Sequence, residues 1–160
     1  FRSCRVPAGT AGMIIFIDAD GCPVVDETVH LANTHHIPCV ILCDTSHQIW
    51  RTGAQTIIVS KGADSVDFAL VNRLHAGDIA VTQDYGLAAM CLARGARVLR
   101  QDGLEYTQEN IDALLLARHT AKKIRRSGGR LHGNKKRSRQ EDRDFEQALT
   151  AMITGENTHD

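Results

Sequence analysis

Short, mostly hydrophobic runs alternate with segments of helical periodicity along most of this chain. The runs occupy residues 13–17, 37–43, 56–60, 79–82 and 97–99. Runs of this length without polar alternation predict strands that are buried on both faces. Because helical segments separate them, the pattern predicts an α/β fold of three layers, α/β/α, around a mainly parallel sheet of about four to five strands.

The intervening segments carry signals for helix ends. Helices are predicted over residues 23–35, with Pro23 in the first turn, and over residues 65–76 and 85–94. Thr107 is a candidate N-cap for a helix that runs into a basic segment. Ser138 and Glu141 form a candidate capping box for a last helix over residues 139–154, whose apolar positions have helical spacing.

The domain organisation follows from length and composition. The 160 residues are 42% hydrophobic and 24% charged, which favours one globular domain, predicted over residues 13–154. Residues 1–12 have no periodicity and are interpreted as a lead, and residues 155–160 as a tail. No apolar run is long enough for a membrane span or a secretory signal. The five cysteines include no C-x-x-C pair, so a cytoplasmic location is expected.

Charge is distributed unevenly, although Lys and Arg equal Asp and Glu at 19 each. Residues 1–117 have a net charge of −5, residues 118–139 contain ten basic and no acidic residues, and residues 140–160 have a net charge of −5. A concentrated basic segment on an acidic body indicates a polyanionic partner or, equally, a solvated helix end. The aromatic content of 4% disfavours nucleic-acid binding by stacking on exposed rings.

Acidic residues follow several of the predicted strands. Asp18 and Asp20 follow the first strand, Asp64 and Asp67 the third, and Asp84 the fourth. The carboxyl ends of parallel strands share one edge, where open α/β sheets bind ligands. If the first segment stays extended, the side chains of the first pair point the same way.

Clustered carboxylates repel one another unless a cation neutralises them. All-oxygen ligands suit Mg²⁺ or Mn²⁺ and not zinc. Such an ion can activate water and stabilise a phosphodiester during hydrolysis. Asp64 and Asp84 are also explained as a helix cap and a turn residue. Asp18 is harder to explain in that way, because it ends a buried run.

Four motifs carry a family resemblance: IDADGCPV at 17–24, KGADSVDFALV at 61–71, GDIAVTQDYGLA at 77–88 and DRDF at 142–145. They resemble the bacterial YaiI/YqxD family, which is grouped with PIN-like domains. Better-known PIN-like proteins are Mg²⁺- or Mn²⁺-dependent ribonucleases. The resemblance spans residues 13–153 and implies a PIN-like fold in which Asp18, Asp67 and Asp84 match the metal-binding acids.

Together these observations favour a metal-dependent nuclease that acts on RNA or single-stranded nucleic acid. The predicted catalytic and metal-binding residues are Asp18, Asp20, Asp67 and Asp84, with Asp64 as a further metal ligand. The predicted supporting groups around them are Thr82, Cys22 and Ser46. The predicted phosphate-contacting residues are Lys61, Arg125, Arg126, Lys135, Lys136 and Arg137. The sequence leaves open whether the protein forms a homodimer, and no membrane partner is expected.

Two alternatives remain at this stage. The D-A-D-G segment also resembles the loop of haloacid dehalogenase-like phosphatases, with Asp18 as nucleophile and Asp20 as acid/base. Lys61 and either Asp78 or Asp84 match the later motifs of that class only weakly. The other alternative is a non-catalytic RNA-binding protein whose metal site is structural or vestigial.

Overall fold

The computed structural model describes residues 13–20, 22–60, 65–126 and 138–155. In this part of the chain a six-stranded sheet has the order β3-β2-β1-β4-β5-β6. The strands are β1 (Ile15–Asp18), β2 (Cys39–Asp44), β3 (Gln55–Val59), β4 (Ile79–Val81), β5 (Arg97–Leu99) and β6 (Glu105–Tyr106). All neighbouring strands are parallel except β5 and β6, which are antiparallel. The predicted α/β class and the mainly parallel sheet are confirmed.

Helices lie on both faces of this sheet. They are α1 (Val25–Thr34), α2 (Ser65–Arg73), α3 (Tyr85–Ala93), α4 (Gln108–Arg126) and α5 (Arg139–Thr154). One buried core combines the sheet with α1 and α5, and the other combines it with α2, α3 and α4. We call these sides the α1/α5 face and the α2–α4 face. None of the helices in the described ranges has the length and apolarity that crossing a membrane requires.

Alternation along β1 decides which way its last side chain points. Ile15 and Ile17 belong to the core on the α1/α5 face, whereas Phe16 belongs to the core on the α2–α4 face. Successive side chains of a strand point to opposite faces. Asp18 therefore follows Phe16 and points to the α2–α4 face.

Caps explain where α4 and α5 begin. The side chains of Thr107 and Asn110 each accept a hydrogen bond from the other's main-chain N–H, at 3.1 and 2.9 Å. This reciprocal pair confirms the predicted cap at Thr107. Ser138 Oγ accepts from the Glu141 N–H at 3.2 Å. In α5, Phe145 and Leu149 are fully buried against the sheet, as their spacing predicts.

Two details of the predicted elements were wrong. The sheet has six strands, because β6, only two residues long, pairs antiparallel with β5 and carries no apolar run. Helix α1 begins at Val25 with Val24 as N-cap, so Pro23 precedes it in a turn. Residues 1–12 and 156–160, interpreted as lead and tail, lie outside the described residues.

Candidate functional site

Asp18 ends β1 at the point where the order of the sheet reverses. Strand β1 has β2 on one side and β4 on the other, and both neighbours run parallel to it. From β1 the chain first adds β2 and β3 on one side, and later β4 and β5 on the other. Such a switch point opens a crevice at the carboxyl ends of the two central strands, which is where open α/β sheets bind ligands. The Asp18 side chain stands at this crevice and is 8% exposed.

A hydrogen-bonded chain joins Asp18 to the end of β4. The hydroxyl of Thr82, which directly follows β4, donates to Asp18 Oδ2 at 2.8 Å. The same Thr82 oxygen accepts from the main-chain N–H of Asp84 at 3.0 Å. Thr82 is 2% exposed, so this link between the strands is shielded from water. The predicted supporting role of Thr82 thus has a direct contact behind it.

The Asp18 carboxyl is held in surroundings that oppose its negative charge. Burial raises its pKa above the ordinary value of 3.8, and the carboxylates of Asp84 and Asp20 raise it further. The hydrogen bond from Thr82 and the main-chain N–H of Asp20 act in the opposite direction without cancelling the rise. Because a nearby cation would favour the ionised form, this electrostatic arrangement is compatible with cation binding.

Asp84 is the N-cap of α3. Its Oδ1 accepts from the main-chain N–H groups of Gly86 and Leu87, at 2.9 and 3.2 Å. A carboxylate at this position also interacts favourably with the positive end of the helix dipole. Asp84 therefore has a structural role as a helix cap, where the sequence suggested a turn residue, and it also lies close enough to Asp18 to raise the pKa of Asp18.

Asp67 comes from a different element of the same face. It lies in the first turn of α2 and is half-buried. Burial raises the pKa of the Cys91 thiol, in α3, to about 12, and Asp67 and Asp18 both add to the rise. Asp67 and Asp18 thus both lie close enough to one buried thiol to raise its pKa. This places both acids around the same part of the α2–α4 face.

The remaining predicted groups lie in three different parts of the structure. Asp20 is exposed in a turn, because the extended conformation ends at Asp18, so these two side chains do not share one face of a strand. Cys22 is half-buried and packs against the core of the opposite, α1/α5 face. Ser46 is exposed in the turn after β2, where its main-chain N–H donates to Asp44 Oδ1 at 2.8 Å. The main-chain hydrogen bond of Ser46 therefore connects it to its own turn and not to the Asp18 carboxyl.

Several predicted residues cannot be placed. Asp64, Lys61, Lys135, Lys136 and Arg137 lie outside the described residues. Arg125 and Arg126 end α4, and the structure describes only their backbone. Within the described ranges, no three His, Cys, Asp or Glu side chains lie close enough together to surround a metal ion.

Sequence reasoning missed a cation at this edge of the sheet. Arg100 directly follows β5 and pairs with Asp102 through two hydrogen bonds, one from Nε to Oδ1 at 2.8 Å. Burial raises the pKa of Tyr106, and the charge of Arg100 opposes part of that rise. Asp84 also acts on Tyr106, so the Arg100 pair belongs to the surroundings of the candidate site. Extending the search for residues after each strand to β5 would have found it.

Asp78 lies at the opposite edge of the sheet. It precedes β4, is 1% exposed, and accepts from the main-chain N–H groups of Ile14 and His75 at 3.0 and 2.8 Å. It therefore joins the start of β1 to the start of β4. A role for Asp78 beside Asp18, as the phosphatase alternative allowed, is ruled out by this position.

These features define a class: a three-layer α/β/α protein with carboxylates gathered at the switch point of its sheet. The chain belongs to the family described as "Uncharacterized BCR, YaiI/YqxD family", whose model matches residues 16–155. The predicted membership is confirmed.

Relatives of similar length cover most of the chain. It is 54% identical over 142 residues to a UPF0178 protein of Exiguobacterium sibiricum, which covers 89% of this chain and 97% of the relative. It is 48% identical over 145 residues to a UPF0178 protein of Ruminiclostridium cellulolyticum, covering 91% and 95%. No solved structure matches this chain significantly.

Proposed function

We propose that this protein is a divalent-metal-dependent nuclease that acts on RNA or single-stranded nucleic acid at the carboxyl edge of its sheet. The observation that carries the proposal is the position of Asp18. This carboxylate is buried at the switch point and is hydrogen-bonded by Thr82, with two further acids close enough to raise its pKa. Carboxylates that raise one another's pKa at the ligand-binding edge of a sheet are typical of functional sites.

The chemistry of the donor set fits Mg²⁺ or Mn²⁺. Asp18, Asp84 and Asp67 offer only carboxylate oxygens, which these hard cations prefer. In the proposal these three residues hold the ion, and Asp20 and Asp64 complete the ligand set or orient water. Because the described residues alone do not surround an ion, the proposal needs Asp64 or a ligand from the substrate. A bound divalent cation lowers the pKa of water and stabilises charge on a phosphodiester.

The protein's own residues have separate roles in this proposal. Thr82 donates to one oxygen of Asp18 and so holds this carboxylate in place at the carboxyl edge. Asp84 caps the N-terminus of α3, and the two hydrogen bonds of this cap fix the position of its carboxylate. Rigid placement of ligands lowers the cost of reorganisation when a cation or substrate binds. Lys61 and the basic residues of segment 118–139 would contact the phosphates of the substrate.

The test is cleavage of a labelled single-stranded RNA in the presence of Mn²⁺. We expect cleavage by the wild type and a loss of at least about a hundredfold in Asp18→Asn and Asp84→Asn, because each removes a proposed ligand. Glu146→Gln is the matched control. It removes one carboxylate from an exposed position on α5, on the other face of the sheet, and we expect unchanged cleavage.

Three further measurements separate the alternatives. Stabilisation of the wild type by Mn²⁺, absent in Asp18→Asn, would support a metal site independently of activity. RNA binding without cleavage, unaffected by Asp18→Asn, would contradict the nuclease and favour a binding protein. Hydrolysis of a phosphomonoester, with an intermediate trapped on Asp18 by fluoroberyllate, would favour the phosphatase.

A further inference from the structure

A second concave site lies at the amino edge of the sheet, opposite the acids. It is a cavity of about 470 Å³ beneath the starts of β1, β2 and β3, on the α2–α4 face. Its apolar lining includes Ile14, Phe16, Val40 and Ile57. A volume of this size is typical of sites that bind small molecules.

Two polar side chains line the same cavity. Arg73, the last residue of α2, donates from Nη1 to its own helix at the Ala69 carbonyl, at 2.9 Å. That bond uses one of the five N–H donors of a guanidinium. Among the described residues no acidic side chain pairs with Arg73, and the Gln55 amide makes no hydrogen bond. The cavity lining contains no acidic residue, so Arg73 gives it a net positive charge.

The rim of the cavity is held in a fixed turn. Gly53, in the lining, has a φ of +86°, and a Cβ at this position would clash with the Asn33 side chain. The Asn33 side chain donates from Nδ2 to the Thr52 carbonyl at 3.3 Å and so closes the turn. A wall that is already ordered lowers the cost of binding a ligand against it.

We propose that this cavity binds a small amphipathic carboxylate. The apolar body of the ligand lies against Phe16, Val40 and Ile57, and its carboxylate pairs with the Arg73 guanidinium. The Gln55 amide donates a second hydrogen bond to the same carboxylate. An apolar cavity with one unpaired cation and one free amide complements this class better than it does a neutral or a cationic molecule.

The inference is independent of the proposed nuclease. The cavity lies at the amino ends of the strands, whereas Asp18 and Asp84 lie at the carboxyl ends. Helix α2 spans the distance between the two sites, with Asp67 in its first turn and Arg73 as its last residue. Failure of either proposal leaves the other intact.

The test is calorimetric titration of the full chain with hexanoate, octanoate and decanoate. We expect saturable binding of one molecule per chain. Affinity should rise by up to about fourfold for each methylene group that the cavity buries. Octanol, which has the same body as octanoate without its charge, should bind roughly tenfold more weakly, because it lacks the charge-assisted pair with Arg73.

Three variants locate the binding. Arg73→Gln, at an exposed position, should weaken octanoate binding roughly tenfold, whereas Arg143→Gln, an exposed arginine of α5, should leave it unchanged. Gln55→Trp should abolish binding by filling the cavity mouth. Circular dichroism checks that each variant is folded. Methyl NMR of the wild type should show shifts at Ile14, Val40 and Ile57 on titration.

Three results of these experiments would contradict the proposal. Absence of saturable binding of all three carboxylates up to about 1 mM would overturn the proposal. Equal binding in the wild type and Gln55→Trp would overturn it as well, since the ligand would then adsorb elsewhere. Equal affinity for octanol and octanoate, unchanged in Arg73→Gln, would contradict the assignment of a carboxylate.

Discussion

Two buried aspartates lie at opposite edges of the same sheet, and the groups around them act differently on their negative charge. Asp78, at the amino edge, accepts hydrogen bonds from the main-chain N–H groups of Ile14 and His75. Asp18, at the carboxyl edge, accepts from the Thr82 hydroxyl and lies near two other carboxylates. Both side chains are almost inaccessible, at 1% and 8% exposure.

The difference separates a carboxylate that holds the fold together from one that costs stability. Two main-chain N–H groups donate to Asp78, so it ties two parallel strands together at their starts. Asp18 is held where burial and like charges disfavour its ionised form. Strain of this electrostatic kind is typical of functional sites, where stability is given up for binding or catalysis. The same substitution should therefore have opposite effects at the two edges.

The largest effect is expected for Asp78→Asn. The Ile14 and His75 N–H groups donate to different oxygens of Asp78, so a carboxamide would place its NH₂ group opposite one of these two donors. We expect a loss of about 3 kcal/mol in the free energy of unfolding, because a buried donor loses a charged partner. Urea unfolding followed by circular dichroism measures it. A loss below about 0.5 kcal/mol would show that the two bonds do not hold the strands and would break the comparison.

A smaller loss is expected for Thr82→Val, which keeps the shape of the side chain and removes its hydroxyl. Asp18 then loses a donor, and the Asp84 N–H loses its acceptor. We expect unfolding to become easier by about 2 kcal/mol, measured in the same urea experiment. Thr82→Ser, the matched control, retains the hydroxyl and should lose less. Equal losses in the two variants would assign the effect to packing of the methyl group and not to the hydrogen bonds.

The sequence was sufficient for the layers of the fold because parallel strands are buried on both faces. Their apolar runs are visible without knowledge of tertiary contacts, and residue caps such as Thr107 mark the helix starts. Strand β6 was missed because two residues paired antiparallel at an edge leave no pattern. Pro23 was misplaced because Pro is also compatible with the turn that precedes a helix.

The candidate site was only partly accessible to sequence reasoning. The rule that ligands bind at the carboxyl ends of parallel strands led to Asp18, Thr82 and Asp84, and the structure joins these three by hydrogen bonds and electrostatics. The direction of the Asp20 side chain depends on the residue at which β1 ends. Hydrophobic periodicity does not determine that residue. The role of Asp78 depends on the sheet register that brings it to Ile14, a residue 64 positions away.

The smallest effect is also the most diagnostic: Asp18→Asn should stabilise the fold at neutral pH. Because the pKa of Asp18 is raised on folding, the folded state retains a proton that the unfolded chain releases. Its favourable contribution is complete below the ordinary value of 3.8 and is lost as the pH rises through the folded-state pKa. An amide, which carries no charge at any pH, avoids that loss and still offers Thr82 an acceptor. We expect a gain of roughly 1 kcal/mol at pH 7.

The gain should shrink as the pH falls, because wild-type Asp18 becomes protonated and neutral like the amide. Urea unfolding at a series of pH values from neutral to mildly acidic therefore gives two curves that converge toward acid. Glu146→Gln, at an exposed position, should track the wild type within about 0.5 kcal/mol throughout. If Asp18→Asn instead destabilised the protein at neutral pH as Asp78→Asn is expected to, Asp18 would be a second structural carboxylate. The contrast between the two edges would then disappear, and with it the electrostatic argument for a functional site.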